Sequence, residues 1–77
     1  MTRFQYQHWT FQLHKIIAGQ PVYKAVKCIK YNHHRIAYVQ NRDGILTEVD
    51  RFGIASSGQK LLSPEVLAVF REHLTDD

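Results

Sequence analysis

The feature that most constrains this chain is the alternation of apolar and polar residues over Val22–Phe52. Three segments in it are rich in β-branched and aromatic residues, as strands are. These segments are Val22–Tyr31, Arg35–Gln40 and Ile45–Arg51. Asn32 lies in the first gap and Asp43-Gly44 in the second, where a tight hairpin turn needs positive φ angles. The pattern predicts three antiparallel strands in a meander.

A C-terminal helix is predicted from its start signals. Ser63 suits the N-cap, Pro64 suits the first helical position, and the apolar period continues to about Leu74. The expected apolar face is Leu62, Val66, Leu67, Phe70 and Leu74. We expect it to pack on Val26, Ile29, Ile36 or Val39, and Ile45 or Val49 of the sheet.

The N-terminal segment Arg3–Ala18 has two interpretations. As a helix it gathers Tyr6, Trp9, Leu13, Ile16 and Ile17 into one apolar stripe. Gly19 and Pro21 then follow as stop signals. The alternation over Trp9–Leu13 is typical of a strand instead. We take the helix as the prediction, which gives a single α+β domain of order α-β-β-β-α with both helices on one face of a three-stranded antiparallel sheet.

Composition narrows the class of protein. At 77 residues the chain forms one domain, and 44% hydrophobic residues is too many for a disordered chain. The single cysteine, Cys28, has no partner within the chain, which predicts no disulfide and a reducing compartment such as the cytoplasm. No apolar run is long enough for a membrane span or a signal peptide, so no membrane association is expected.

Charge is sorted along the chain. Residues 1–42 hold seven Lys or Arg and no Asp or Glu, whereas residues 43–77 hold seven acids and three Lys or Arg. The two parts therefore carry +7 and −4, before histidine is counted. Such asymmetry is typical of a protein with a polyanionic partner. The alternative is that the two parts pair with each other when folded.

Signatures of catalysis or cofactor binding are weak. The loop Gly53–Lys60 lacks the lysine directly after its second glycine that a phosphate-binding loop requires. The five histidines show no metal-ligand spacing, so we expect no metal and no cofactor. His33 or His34 could act as a general base beside Arg35 and Tyr38 in nucleic-acid cleavage, but these residue types are common on any basic hairpin. We expect the protein not to be an enzyme.

The remaining candidate is a basic β-hairpin. Its predicted nucleic-acid-binding residues are Lys24, Lys27, Lys30, His33, His34, Arg35 and Arg42. Cations bind phosphates and neighbouring tyrosines can stack on bases, which favours a small accessory or regulatory protein that binds nucleic acid. The alternative is a protein-interaction module, which would be an adaptor, an inhibitor or a homodimer formed through a sheet edge, and would present the same surface to an acidic protein.

Overall fold

The computed structural model describes residues 3–31, 33–55, 58 and 60–75. Residue 75 is described by its backbone alone. The described residues form one antiparallel sheet and one helix. The strands are β1 (Arg3–Tyr6), β2 (Trp9–Ile17), β3 (Gln20–Lys30), β4 (His33–Arg42) and β5 (Ile45–Val49), and the helix is α1 (Pro64–Thr75). The strands lie in the order β1-β2-β3-β4-β5, a five-stranded meander.

The predicted N-terminal helix is wrong, because residues 3–17 form the β1–β2 hairpin. Gln7 and His8 both have positive φ, 49° and 68°, and make a two-residue turn. Aromatic residues then pair across the strands, Phe4 with Phe11 and Tyr6 with Trp9. A helix would have turned Phe4 and Phe11 away from the apolar stripe, whereas the hairpin places all four rings on one face of the sheet. The order α-β-β-β-α is therefore corrected to five strands and one helix.

The three predicted strands are confirmed as β3, β4 and β5, with ends that differ by no more than two residues. Asp43 and Gly44 have φ angles of 55° and 90°, as the predicted turn requires. The other predicted turn residue, Asn32, lies outside the described residues, as does part of the loop that precedes the helix.

The predicted C-terminal helix is confirmed. The Val66 N–H donates to Ser63 Oγ at 3.2 Å, which is the expected N-cap bond. The helix buries Val66 and Phe70, and Leu62 just before it, while Leu67 and Leu74 are partly buried. Phe70 stacks on Phe11 with ring centroids 4.2 Å apart.

The prediction of which sheet residues pack against the helix is only partly correct. The buried sheet residues under the helix are Trp9, Phe11, Ala25, Ala37 and Val39, with Leu46 partly buried. Val39 was expected, but Val26 and Ile36 pair with each other on the opposite face. Their parity differs from that of Ala25 and Ala37, and alternate residues of a strand point to opposite faces. We call the side that carries Phe11, Ala25, Ala37 and Val39 the helix face and the other side the open face.

One end of the open face is closed by the loop after β5. Val22, Gln40 and Val49 are buried there. The Arg42 guanidinium donates to Gln40 Oε1 at 2.7 Å and to the Gly53 carbonyl at 2.8 Å. The Gln40 amide in turn donates to the Ile17 carbonyl at 3.1 Å. These bonds fasten β2, β4 and the loop together.

Candidate nucleic-acid interface

The tip of the β3–β4 hairpin extends beyond its neighbouring strands. The pairing of β2 with β3 reaches Lys27, and the pairing of β5 with β4 reaches Tyr38. Beyond these points the two strands pair only with each other among the described residues. We call this segment, residues 27–30 and 33–35, the ribbon. Lys27 at its base still pairs with Trp9 of β2, and the remaining ribbon residues extend beyond the paired parts of β2 and β5.

A break in register aligns the cations of the ribbon. Lys27 lies opposite Arg35, and Cys28 lies opposite His34, but the next pair joins Lys30 to His33. Arg35 and His33 have the parity of Ala37 and Val39 and therefore belong to the helix face. The extra residue, Ile29, brings Lys30 to that same face, as a β-bulge does. Two cross-strand pairs, Lys27–Arg35 and Lys30–His33, therefore follow one another on one side of the ribbon. We call these two pairs the cationic rungs.

This alignment could not be predicted from strict alternation. A regular strand would place Lys27 and Lys30 on opposite faces, because they are three positions apart and alternate residues point to opposite faces. Between the two rungs lie two residues of β3 and one residue of β4. This difference can be recognised only once the register of the two strands is known.

Exposed apolar groups accompany the cations of the ribbon. Tyr31, directly after β3, has 89% of its side chain exposed, and Ile29 is also exposed. Lys27 Nζ lies 5.8 Å from the centroid of the Trp9 ring, within cation–π range. Lys27 therefore also covers the edge of the core, whereas Lys30 and Arg35 are exposed. The ribbon can offer both phosphate contacts and an aromatic surface.

The other predicted site residues lie elsewhere. Lys24 and His34 are on the open face, because they pair with Tyr38 and Cys28 of that face. Arg42 is half-buried in the hydrogen-bond network at the far end of β4. The ribbon thus brings Lys27, Lys30, His33 and Arg35 together and separates them from Lys24, His34 and Arg42.

The hypothetical catalytic set is also divided. His34 and Tyr38 lie on the open face, while Arg35 lies on the helix face. A general base and a phosphate-binding cation must approach the same substrate atom group. Arg35 therefore shares a face with His33 but not with His34 or Tyr38, so no single face carries a histidine, Arg35 and Tyr38 together. Cys28, which also lies on the open face, is exposed.

Four carboxylates of the acidic part accept hydrogen bonds from neutral donors. Asp43 accepts from the Gln20 amide, and Asp50 accepts from the Phe52 and Ile54 N–H groups. Glu48 accepts from two N–H groups before the helix, those of Leu61 and Leu62. Glu65 accepts from the Tyr6 hydroxyl at 3.1 Å. This hydrogen bond, together with desolvation and the nearby negative charge, raises the pKa of Tyr6 above its ordinary value. None of these contacts neutralises a cation of the ribbon.

The described residues lack two further kinds of feature. They contain no group of three His, Cys, Asp or Glu side chains placed to hold a metal ion. Across the same part of the chain, no helix has the length and apolar character needed to cross a bilayer.

No family model matches the chain, and no curated protein or solved structure matches it either.

Proposed function

We propose that this protein is a non-enzymatic accessory or regulatory protein that binds nucleic acid through the ribbon. The observation that carries the proposal is the pair of rungs, Lys27–Arg35 and Lys30–His33, on one face of a projecting hairpin. A single cysteine without a partner in the chain fits a cytoplasmic protein.

The spacing of the rungs suits a phosphate backbone. Successive residues on one face of a strand lie roughly 7 Å apart, about twice the 3.4 Å axial rise per phosphate of a DNA strand. A two-stranded β-ribbon also fits within the major groove of B-DNA. Tyr31 adds a ring on which an unpaired base can stack.

The number of cations sets the expected salt dependence. The rungs contain three lysine or arginine cations, Lys27, Lys30 and Arg35. With about −0.9 per neutralised phosphate of duplex DNA, the log–log slope of the binding constant against salt should be about −3. A protein of this size with so few contacts is expected to bind in the micromolar range or weaker at physiological salt.

Fluorescence anisotropy with labelled duplex DNA, single-stranded DNA and single-stranded RNA tests the proposal. We expect at least one of the three to bind with a Kd below about 100 μM at 50 mM salt, where electrostatic binding is strong. Weaker binding of all three would contradict the proposal. The ligand that binds most tightly also distinguishes groove binding from stacking on Tyr31.

The alternative, a protein-interaction module, is favoured by one observation at the β5 edge of the sheet. Among the described residues, no strand pairs with the outer edge of β5 over Ile45–Glu48, and Ile45 is exposed there. An edge of this kind can add a strand from a partner or from a second copy of the chain. Light scattering at increasing protein concentration tests the homodimer, which requires the mass to double. A constant monomer mass excludes it.

A further inference from the structure

The open face contains a depression of about 330 Å³ at the end closest to the ribbon. Residues from β1, β2, β3, β4 and the β1–β2 turn line it. They include Arg3, Gln5, His8, Thr10, Gln12 and His34. The depression lies on the face opposite the cationic rungs, and Cys28 and His34 of the ribbon border it from that face.

The register explains how these side chains come together. Gln5, Thr10 and Val26 are neighbours across β1, β2 and β3, and they form the middle of the depression. Arg3 and Gln12 pair one row away on one side. On the other side, Cys28 and His34 form the next row. The long Arg3 side chain and the imidazoles thus border a centre of small polar and apolar groups.

The lining favours an anion. No acidic side chain of the described chain lines the depression, while one guanidinium and two imidazoles do. Glutamine amides and a threonine hydroxyl supply further hydrogen-bond donors. A guanidinium binds phosphate with two parallel hydrogen bonds, which makes arginine a preferred phosphate ligand.

We propose that this depression binds a phosphomonoester of about the size of a mononucleotide. Its volume is at the lower end of the range for small-molecule sites, roughly 300–1,000 Å³, and exceeds what one phosphate ion needs. The phosphate lies against Arg3 and Gln12, and the attached organic group covers Thr10 and Val26 toward His8 and His34. The ligand is either a free nucleotide or the phosphorylated end of a strand.

Isothermal titration with AMP and with adenosine tests the phosphate requirement. We expect AMP to bind and adenosine to bind at least about tenfold more weakly, since a charge-assisted contact contributes a factor of this order. Arg3→Gln and His34→Gln should each weaken AMP binding, Arg3→Gln by about tenfold. Both side chains are exposed, so neither change should disturb the core. The matched control is Lys15→Gln, which removes an exposed cation of β2 that does not line the depression, and it should leave AMP affinity unchanged.

A second comparison identifies the source of the phosphate. An oligonucleotide with a 5′-phosphate is compared with the same strand lacking it, in the Lys30→Ala/Arg35→Ala background, which removes ribbon contacts. A preference for the phosphorylated strand supports a strand end, and binding of AMP without such a preference supports a free nucleotide. The proposal is overturned if neither AMP nor the phosphorylated strand binds, if adenosine binds as well as AMP, or if Arg3→Gln has no effect. None of these results depends on whether the ribbon itself binds nucleic acid.

Discussion

Gly53 shows how a single residue fixes the closed end of the open face. Its φ is +86°, and a Cβ built on it would lie 2.8 Å from Ile17 Cδ1. Gly44 has a similar φ of +90°, but a Cβ there would meet no atom within 4 Å. The two glycines therefore separate the backbone effect of a substitution from its steric effect.

We predict that Gly53→Ala lowers the free energy of unfolding more than Gly44→Ala does. Both substitutions place a Cβ in the left-handed region, at about 1–2 kcal/mol, but only Gly53→Ala also displaces Ile17. Urea denaturation measures both. Adding Ile17→Val, which removes the Cδ1 atom, should restore part of the loss in Gly53→Ala alone. Equal losses in the two alanine variants would show that the loop does not press on Ile17.

Phe70 is the central residue of the core. It is fully buried, stacks on Phe11, and meets the edge of Tyr23 with centroids 5.1 Å apart. Phe70→Ala should lower the free energy of unfolding by about 3–5 kcal/mol, because it leaves a cavity among these rings. Phe52→Ala is the control, since that ring is 60% exposed and should change stability by no more than about 0.5 kcal/mol. An unchanged melting midpoint for Phe70→Ala would refute the packing of α1 on the sheet.

Among the elements, α1 depends on a single cap. Ser63→Ala removes the acceptor for the Val66 N–H and should destabilise the protein by about 1 kcal/mol. In a domain of this size that corresponds to a fall in Tm of roughly 4–8 °C. Ser63→Asp should retain most of the stability, because a carboxylate also accepts this bond and favours the positive end of the helix dipole. Thermal melts of the two variants should therefore diverge.

The elements differ in how well the sequence predicts them. The C-terminal helix has local signals, a capping serine followed by proline, that no tertiary contact opposes. The strands over residues 22–51 are likewise marked by alternation and by the Asp43-Gly44 turn. The N-terminal segment satisfies a helical stripe and a strand alternation equally, and burial of Phe4 and Phe11 beside Phe70 decides between them. The outcome depends on contact with Phe70, which is distant in the sequence, and a local sequence pattern contains no information about that contact.

The same distinction applies to the candidate site. The sequence indicates the basic hairpin and its cations, but the register divides them between two faces and an internal network. Nothing in the sequence distinguishes Arg42 from a surface arginine. Its hydrogen bond to the Gly53 carbonyl is evident only in the structure. The depression near Arg3 was not predicted, because it requires β1 to be a strand.

At the scale of the whole molecule, the charge asymmetry along the chain leaves four cationic or imidazole side chains of the ribbon on one face, Lys27, Lys30, His33 and Arg35. Four acids of the C-terminal part are engaged by neutral donors. The ribbon extends its cations away from the sheet. The proposed function requires this cationic hairpin to attract a polyanion by long-range electrostatics.

The most direct measurement is the salt dependence of duplex binding for two double variants of equal net charge. Lys30→Ala/Arg35→Ala removes two cations from the ribbon, and Lys15→Ala/Arg71→Ala removes two exposed cations from β2 and α1. Because each lost phosphate contact changes the log–log slope by about 0.9, we predict that the ribbon variant flattens it by about two, from about −3 to about −1. The control should keep the wild-type slope. Equal slopes for the two variants would contradict binding through the ribbon.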